Sequence, residues 1–184
     1  MSAKETFTLP PYGEAASLSL ELKRTVAKIL YRVRLDPLFY QRCPGGNMLL
    51  EYYGMDDVAG ETTVMEPEAL PYPDLEISAM QTADYELSEM SAFEGLLYLF
   101  PSDRADEEKT PRITMDATYW DDDGITQPVR YRVPFNAPNG GEVRRNGFYL
   151  VNIHIAGLDE VIVSTDFSVK DWETLTVPPL TIGY

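Results

Sequence analysis

Between Phe148 and Ile155 the chain alternates, with Tyr149, Val151, Ile153 and Ile155 at every second position. Successive side chains of a strand point to opposite faces of a sheet, so this period of two predicts a strand whose four apolar and aromatic residues enter one core. Arg145 and Asn146 stand just before it and Gly157 just after it. A second β-rich run from Val161 to Val169 completes a hairpin, and the segment closes with Asp171, Trp172 and Glu173.

The same pattern recurs through the chain. Ala16 to Leu22 places Leu18, Leu20 and Leu22 on one face and Ser17, Ser19 and Glu21 on the other. In the next run Ala27, Ile29, Tyr31, Val33 and Leu35 share a face, opposite Lys28, Arg32 and Arg34. Met48 to Tyr53 and Leu75 to Met80 are weaker candidates, separated by the polar stretch around Met55 to Glu61 and by Pro67, Pro71 and Pro73. Helical periodicity is scarce, and its best candidate is a short stretch around Asp84 to Met90. Phe93 to Phe100 is a nearly continuous apolar run, and a domain boundary is placed just before it. Arg112 to Trp120 and Val129 to Phe135 flank Asp121, Asp122, Asp123 and Gly124, which predicts a hairpin turning on residues that tolerate positive φ. Pro138, Asn139, Gly140 and Gly141 make the next turn. The expected fold is all-β, with two antiparallel β-sandwich domains of Greek-key type over residues 1–92 and 93–184 and little helix.

Length and charge narrow the function classes. A chain of 184 residues, 44% hydrophobic, buries a substantial core, whereas its net charge of −15 sets its field against phosphate backbones and anionic membranes. Nucleic acid is therefore not an expected partner. Cys43 is the only cysteine, so the chain closes no internal disulfide and offers no thiolate metal cluster; beside Pro44, Gly45 and Gly46 it reads as a structural residue near a turn. No apolar run is long enough for a membrane-spanning helix, and residues 1–6 lack the hydrophobic core of an export signal.

No catalytic constellation stands out, and neither an enzyme activity nor a cofactor is expected. The consecutive aspartates 121–123 lack the every-second-position spacing and terminal glutamate of a calcium loop, so they read as a turn and no metal site is assigned. His154, the only histidine, lies mid-strand on the face opposite Ile153 and Ile155, with no orienting carboxylate near it in sequence. Paired glycines at 45–46 and 140–141 lack the strand, lysine and helix context of a phosphate loop. Trp120 and Trp172, with the tyrosines, are the candidates for a sugar-binding face, although aromatics at alternating strand positions more often form core.

Three stretches carry a family resemblance. The closing strands with Arg145, Asn146, Tyr149, Val151, Ile153, Ile155, Gly157 and Asp171–Glu173 resemble those of the Bacteroidetes fimbrillins, the subunits of type V pili. Leu22 to Ile29 resembles that family's opening segment, in which an arginine precedes a short link to the first retained strand. Tyr98, Leu99, Phe100 and Pro101 resemble the strand that opens its C-terminal domain. The resemblance implies a major or minor structural subunit of a cell-surface fimbria that supports adhesion and is associated with the outer membrane. A trypsin-like, arginine-specific protease would cut between Arg24 and Thr25 and remove the strand at about residues 16–22 with its plugs Leu18, Leu20 and Leu22. Another subunit would then donate a strand, here residues 174–184 with Leu175, Val177, Leu180 and Ile182; Pro178 and Pro179 suit this segment to an edge or bent strand rather than a central one. Burying those four side chains would contribute roughly 6–12 kcal/mol before ordering costs. The implied partners are other pilus subunits, the protease, and host or bacterial surface ligands. The alternative expectation is a carbohydrate-binding surface β-sandwich or a pilus-tip adhesin.

Overall fold

The computed structural model describes residues 25–60, 76–101, 110–135 and 143–169. Among these residues the chain forms eight strands and one short helix: β1 (Ala27–Leu35), α1 (Pro37–Arg42), β2 (Asn47–Ala59), β3 (Glu76–Leu87), β4 (Phe93–Leu99), β5 (Arg112–Trp120), β6 (Thr126–Pro134), β7 (Gly147–Ile155) and β8 (Val161–Val169). The strands make two four-stranded sheets, ordered β4-β1-β7-β8 and β3-β2-β5-β6. The predominance of β structure agrees with the sequence, and so do the β5–β6 and β7–β8 hairpins.

The alternation read from the sequence is the alternation of burial. Ala27, Ile29, Tyr31 and Val33 of β1 and Tyr149, Val151, Ile153 and Ile155 of β7 are all fully buried on the inner face of the first sheet. Met48, Leu50, Tyr53 and Met55 of β2 and Ile113, Met115 and Ala117 of β5 meet them from the second sheet, and all belong to one buried cluster. Tyrosines fasten the two layers across that core. The Tyr31 hydroxyl donates to Gly54 O at 3.1 Å, and Tyr131 donates to Gly157 O at 2.8 Å. Each buried hydroxyl thereby finds an acceptor, which removes most of the cost of taking it out of water.

Three expectations need correction. The first is the purely antiparallel sheet: β1 and β7 run parallel, from Lys28 beside Phe148 to Leu35 beside Ile155. The second is the short helix around Asp84 to Met90. That region instead continues β3 as far as Leu87, with Asp84 at φ 47° where β3 carries an extra residue opposite Leu50 and Tyr52. The third concerns β2, which does not stop at Tyr53. An extra residue between Leu50 and Tyr52, relative to β5, inverts the phase, so that Tyr52 is exposed and Tyr53 buried; a second irregularity with Asp57 at φ 59° returns Val58 to the core.

Residues on the two sides of the 92/93 boundary are interleaved. Three of the six strand pairings, β1–β4, β1–β7 and β2–β5, join one side to the other. Described residues of both segments thus supply the same buried cluster.

Candidate functional site

The processing junction meets the fold at its first described residue. Thr25 and Val26 are half-buried, β1 starts at Ala27, and the Val26 carbonyl accepts the Asn146 N–H at 3.3 Å. Arg24, the strand at 16–22 with Leu18, Leu20 and Leu22, and the segment 174–184 with Leu175, Val177, Leu180 and Ile182 lie outside the described residues. So do Trp172 and the turn at 138–141. Of the two tryptophans, Trp120 is half-buried at the end of β5, beside Asn47 and Thr126.

Four strands end their sheets among the described residues, and their chemistry differs. β6 carries Pro128 and Pro134 with exposed Arg130 and Arg132, devices that oppose the addition of another strand. β4 and β8 have no proline and only one charged residue each, Glu94 and Asp166. Their backbones are chemically competent to accept a partner strand. β8 also turns Val161 and Val163 toward the core while leaving them only half-buried.

On the outer face of the first sheet, polar side chains from all four strands meet in register. Glu94, Arg32, Asn152 and Ser164 form one row across β4, β1, β7 and β8, and Arg34, His154 and Ile162 form the next. Arg32, Arg34, Ala92, Asn152, His154 and Ser164 line a depression of about 320 Å³. Arg32 Nε donates to Glu94 at 2.7 Å. Arg34 Nε instead donates to His154 Nε2 at 3.2 Å, and His154 Nδ1 stands 3.4 Å from Asp36 Oδ2. A guanidinium only donates, so Nε2 must accept and the ring proton sits on Nδ1, facing Asp36.

Asp36 is itself held. It caps α1, its Oδ1 taking the Leu38 N–H at 3.0 Å, while its own N–H donates to Ile155 O at 2.8 Å. The Leu38 N–H, the contact with His154 and the charge of Arg34 together hold its carboxyl below the ordinary range, against a smaller opposing effect of burial. Sequence reasoning found His154 on the outer face but not its orienting carboxylate, because Asp36 lies 118 residues away and only the parallel β1–β7 pairing brings the two together.

The second sheet's outer face is composed differently. Arg130 grips Asp116 through two bonds of 2.6 and 2.7 Å, and Arg132 reaches Asp56 at 3.2 Å and Asp57 at 3.1 Å. Partial burial acts to raise the Asp56 carboxyl, yet hydrogen bonds from Ser78 and Thr114 and the charges of Arg132 and Arg130 outweigh it and hold that carboxyl low. The aspartates at 121–123 open a turn, with Asp121 Oδ1 accepting the Ile125 N–H at 2.9 Å and Gly124 at φ 81°. Burial raises the Cys43 thiol, as suits a packed residue at the end of α1. No helix among the described residues is long and apolar enough to cross a membrane.

Neither a protein-family model nor a curated protein matches the chain. Among solved structures, a proposed cell adhesion protein from Bacteroides eggerthii DSM 20697 is similar with a TM-score of 0.48 and 11% identity, over 82% of this chain and 57% of that one. A fimbrial protein from Bacteroides vulgatus ATCC 8482 gives 0.46 and 9% over 79% and 54%. A proposed cell adhesion protein from Bacteroides uniformis ATCC 8492 gives 0.42 and 13% over 85% and 54%. The chain spans about half the length of the solved structures it matches.

Proposed function

We propose that this chain is a structural subunit of a cell-surface fimbria, cut after Arg24 and polymerised by strand donation from residues 174–184 of a neighbouring copy. The resemblance of the opening, middle and closing stretches to fimbrillins supports this reading, and so does a fold that, among the described residues, is made almost wholly of two sheets. One observation carries it: β1 begins at Ala27, two residues beyond Thr25, and pairs on both sides, with β4 and β7. Cutting the Arg24–Thr25 bond thus leaves every described pairing intact, so the mature chain keeps its core while the preceding segment departs. Donation needs an edge with unmet backbone donors and acceptors, and β4 and β8 offer edges that neither proline nor clustered charge blocks. The surface location, the outer-membrane association, the arginine-specific protease and the adhesive role belong to the same proposal.

Two experiments test it separately. In the presence of an arginine-specific protease, Arg24→Ala leaves the chain uncut and unpolymerised; polymers forming at the normal rate would refute the processing step. Removing residues 174–184 leaves a folded, cleaved monomer that does not donate. Assembly that persists would place the donor elsewhere in the chain.

A further inference from the structure

We propose that the depression on the outer face of the first sheet binds the carboxylate-bearing residue of an acidic sugar. The depression's volume of about 320 Å³ lies at the small end of the range of small-ligand sites. Arg34 is the residue that defines its chemistry. In a chain with twice as many acidic residues as basic ones, 30 against 15, Arg34 has no carboxylate within ion-pair distance among the described residues. Its Nε donates to His154, whose Nδ1 stands against Asp36, and its terminal amino groups are unengaged by described side chains. The two terminal amino groups of a guanidinium form a planar fork suited to the two oxygens of a carboxylate.

The rest of the lining narrows the ligand. The side chains of Asn152 and Ser164, adjacent across β7 and β8, have no hydrogen-bond partner among the described residues. An amide and a hydroxyl each donate and accept, which matches sugar hydroxyls. Ile162, 48% exposed beside His154, offers an apolar edge to the C–H face of a ring. Phosphate fits less well, because Glu94 stands on Arg32 and would repel a dianion. A peptide fits less well too, since Ala92 is the only apolar residue in the lining itself and Ile162 only adjoins it beside His154. The site faces away from the core and is independent of the cleavage and donation steps, so either proposal can fail without the other.

The test is titration of the full chain, by isothermal calorimetry or amide chemical shifts, with methyl glycosides of glucuronic, galacturonic and N-acetylneuraminic acid. Methyl glucoside and methyl galactoside, in which a hydroxymethyl replaces the carboxylate, serve as neutral counterparts. At least one acidic sugar is expected to bind about tenfold or more tightly than the neutral ones. Arg34→Lys, which keeps the charge and loses the fork, removes that preference. Ser164→Ala weakens binding with the preference kept, and Arg130→Lys on the other sheet changes nothing. Binding of none of the three acidic sugars, equal binding of acidic and neutral sugars, or a preference that survives Arg34→Lys would overturn the assignment. So would inorganic phosphate that competes at a lower concentration than the acidic sugars.

Discussion

The two sheets contribute equally to one core, yet they present different outer faces. On β3-β2-β5-β6, arginines meet aspartates: Arg130 with Asp116, Arg132 with Asp56 and Asp57, and Arg112 with Asp57 at 3.8 Å. Those arginines are all paired, and one of that sheet's two edge strands, β6, carries two prolines. On β4-β1-β7-β8 the Arg34 guanidinium leans on the His154 imidazole, Asn152 and Ser164 are unpartnered among the described residues, and the edges β4 and β8 lack proline. A surface whose polar groups are mutually paired has little to gain from a ligand, whereas one with oriented, unmatched donors gains hydrogen bonds on contact. The first sheet is accordingly the one that carries both proposed functions.

The largest expected effect tests whether the layers act as one unit. Tyr31→Ala removes a fully buried ring together with its bond to Gly54 O, and should destabilise the chain by about 3–5 kcal/mol in urea unfolding. If β7–β8 hydrogen-exchange protection fell together with that of β2–β5, the shared core would be functionally single. Protection lost in the first sheet alone would separate the two sheets energetically.

Next in size is Gly95→Ala. A Cβ at this position would lie 2.5 Å from the Tyr53 ring, so the ring must shift off Phe93 and its hydroxyl off Leu96. The expected loss is about 1–3 kcal/mol, read from the same unfolding curves. A neutral result would mean that β4 can move away from β2 at no cost.

Asp56→Asn should cost about 1 kcal/mol near neutral pH, because it removes the charge on which Ser78, Thr114 and Arg132 converge. The folded carboxyl titrates below its unfolded value. Its stabilisation is therefore present above the ordinary carboxylate range and is lost as pH falls through the folded value. The difference between Asp56→Asn and the parent should shrink on acidification, and a difference that grows would show that Asp56 is destabilising in the fold. Smallest of all is Arg130→Ala. With its side chain 69% exposed, its pair with Asp116 is expected to leave the thermal midpoint within experimental error.

How much of this was legible in the sequence depends on range. The faces of β1 and β7 and the β5–β6 and β7–β8 hairpins are local, since a period of two and a turn of Asp and Gly residues are written in consecutive positions. The bulges of β2 were hidden because an extra residue breaks the very alternation used to follow a strand, and so the strand was read as ending at Tyr53. The boundary at 92/93 followed from an apolar run that does open a strand, but such a run cannot show that its partner is β1, some 60 residues earlier. His154 was legible as a residue on the outer face, though not as the centre of an Asp36–His154–Arg34 relay.

The sequence alone determined that the chain is rich in strands and which side chains of β1 and β7 enter the core, because desolvation acts on each residue's own chemistry and the pleat fixes its direction. Only the tertiary structure decided the order of strands in each sheet, the parallel contact of β1 with β7, and the meeting of Asp36, Arg34, Asn152, His154 and Ser164 on one face. Those depend on which backbones pair across long stretches of chain, and alternation is the same whichever neighbour a strand takes.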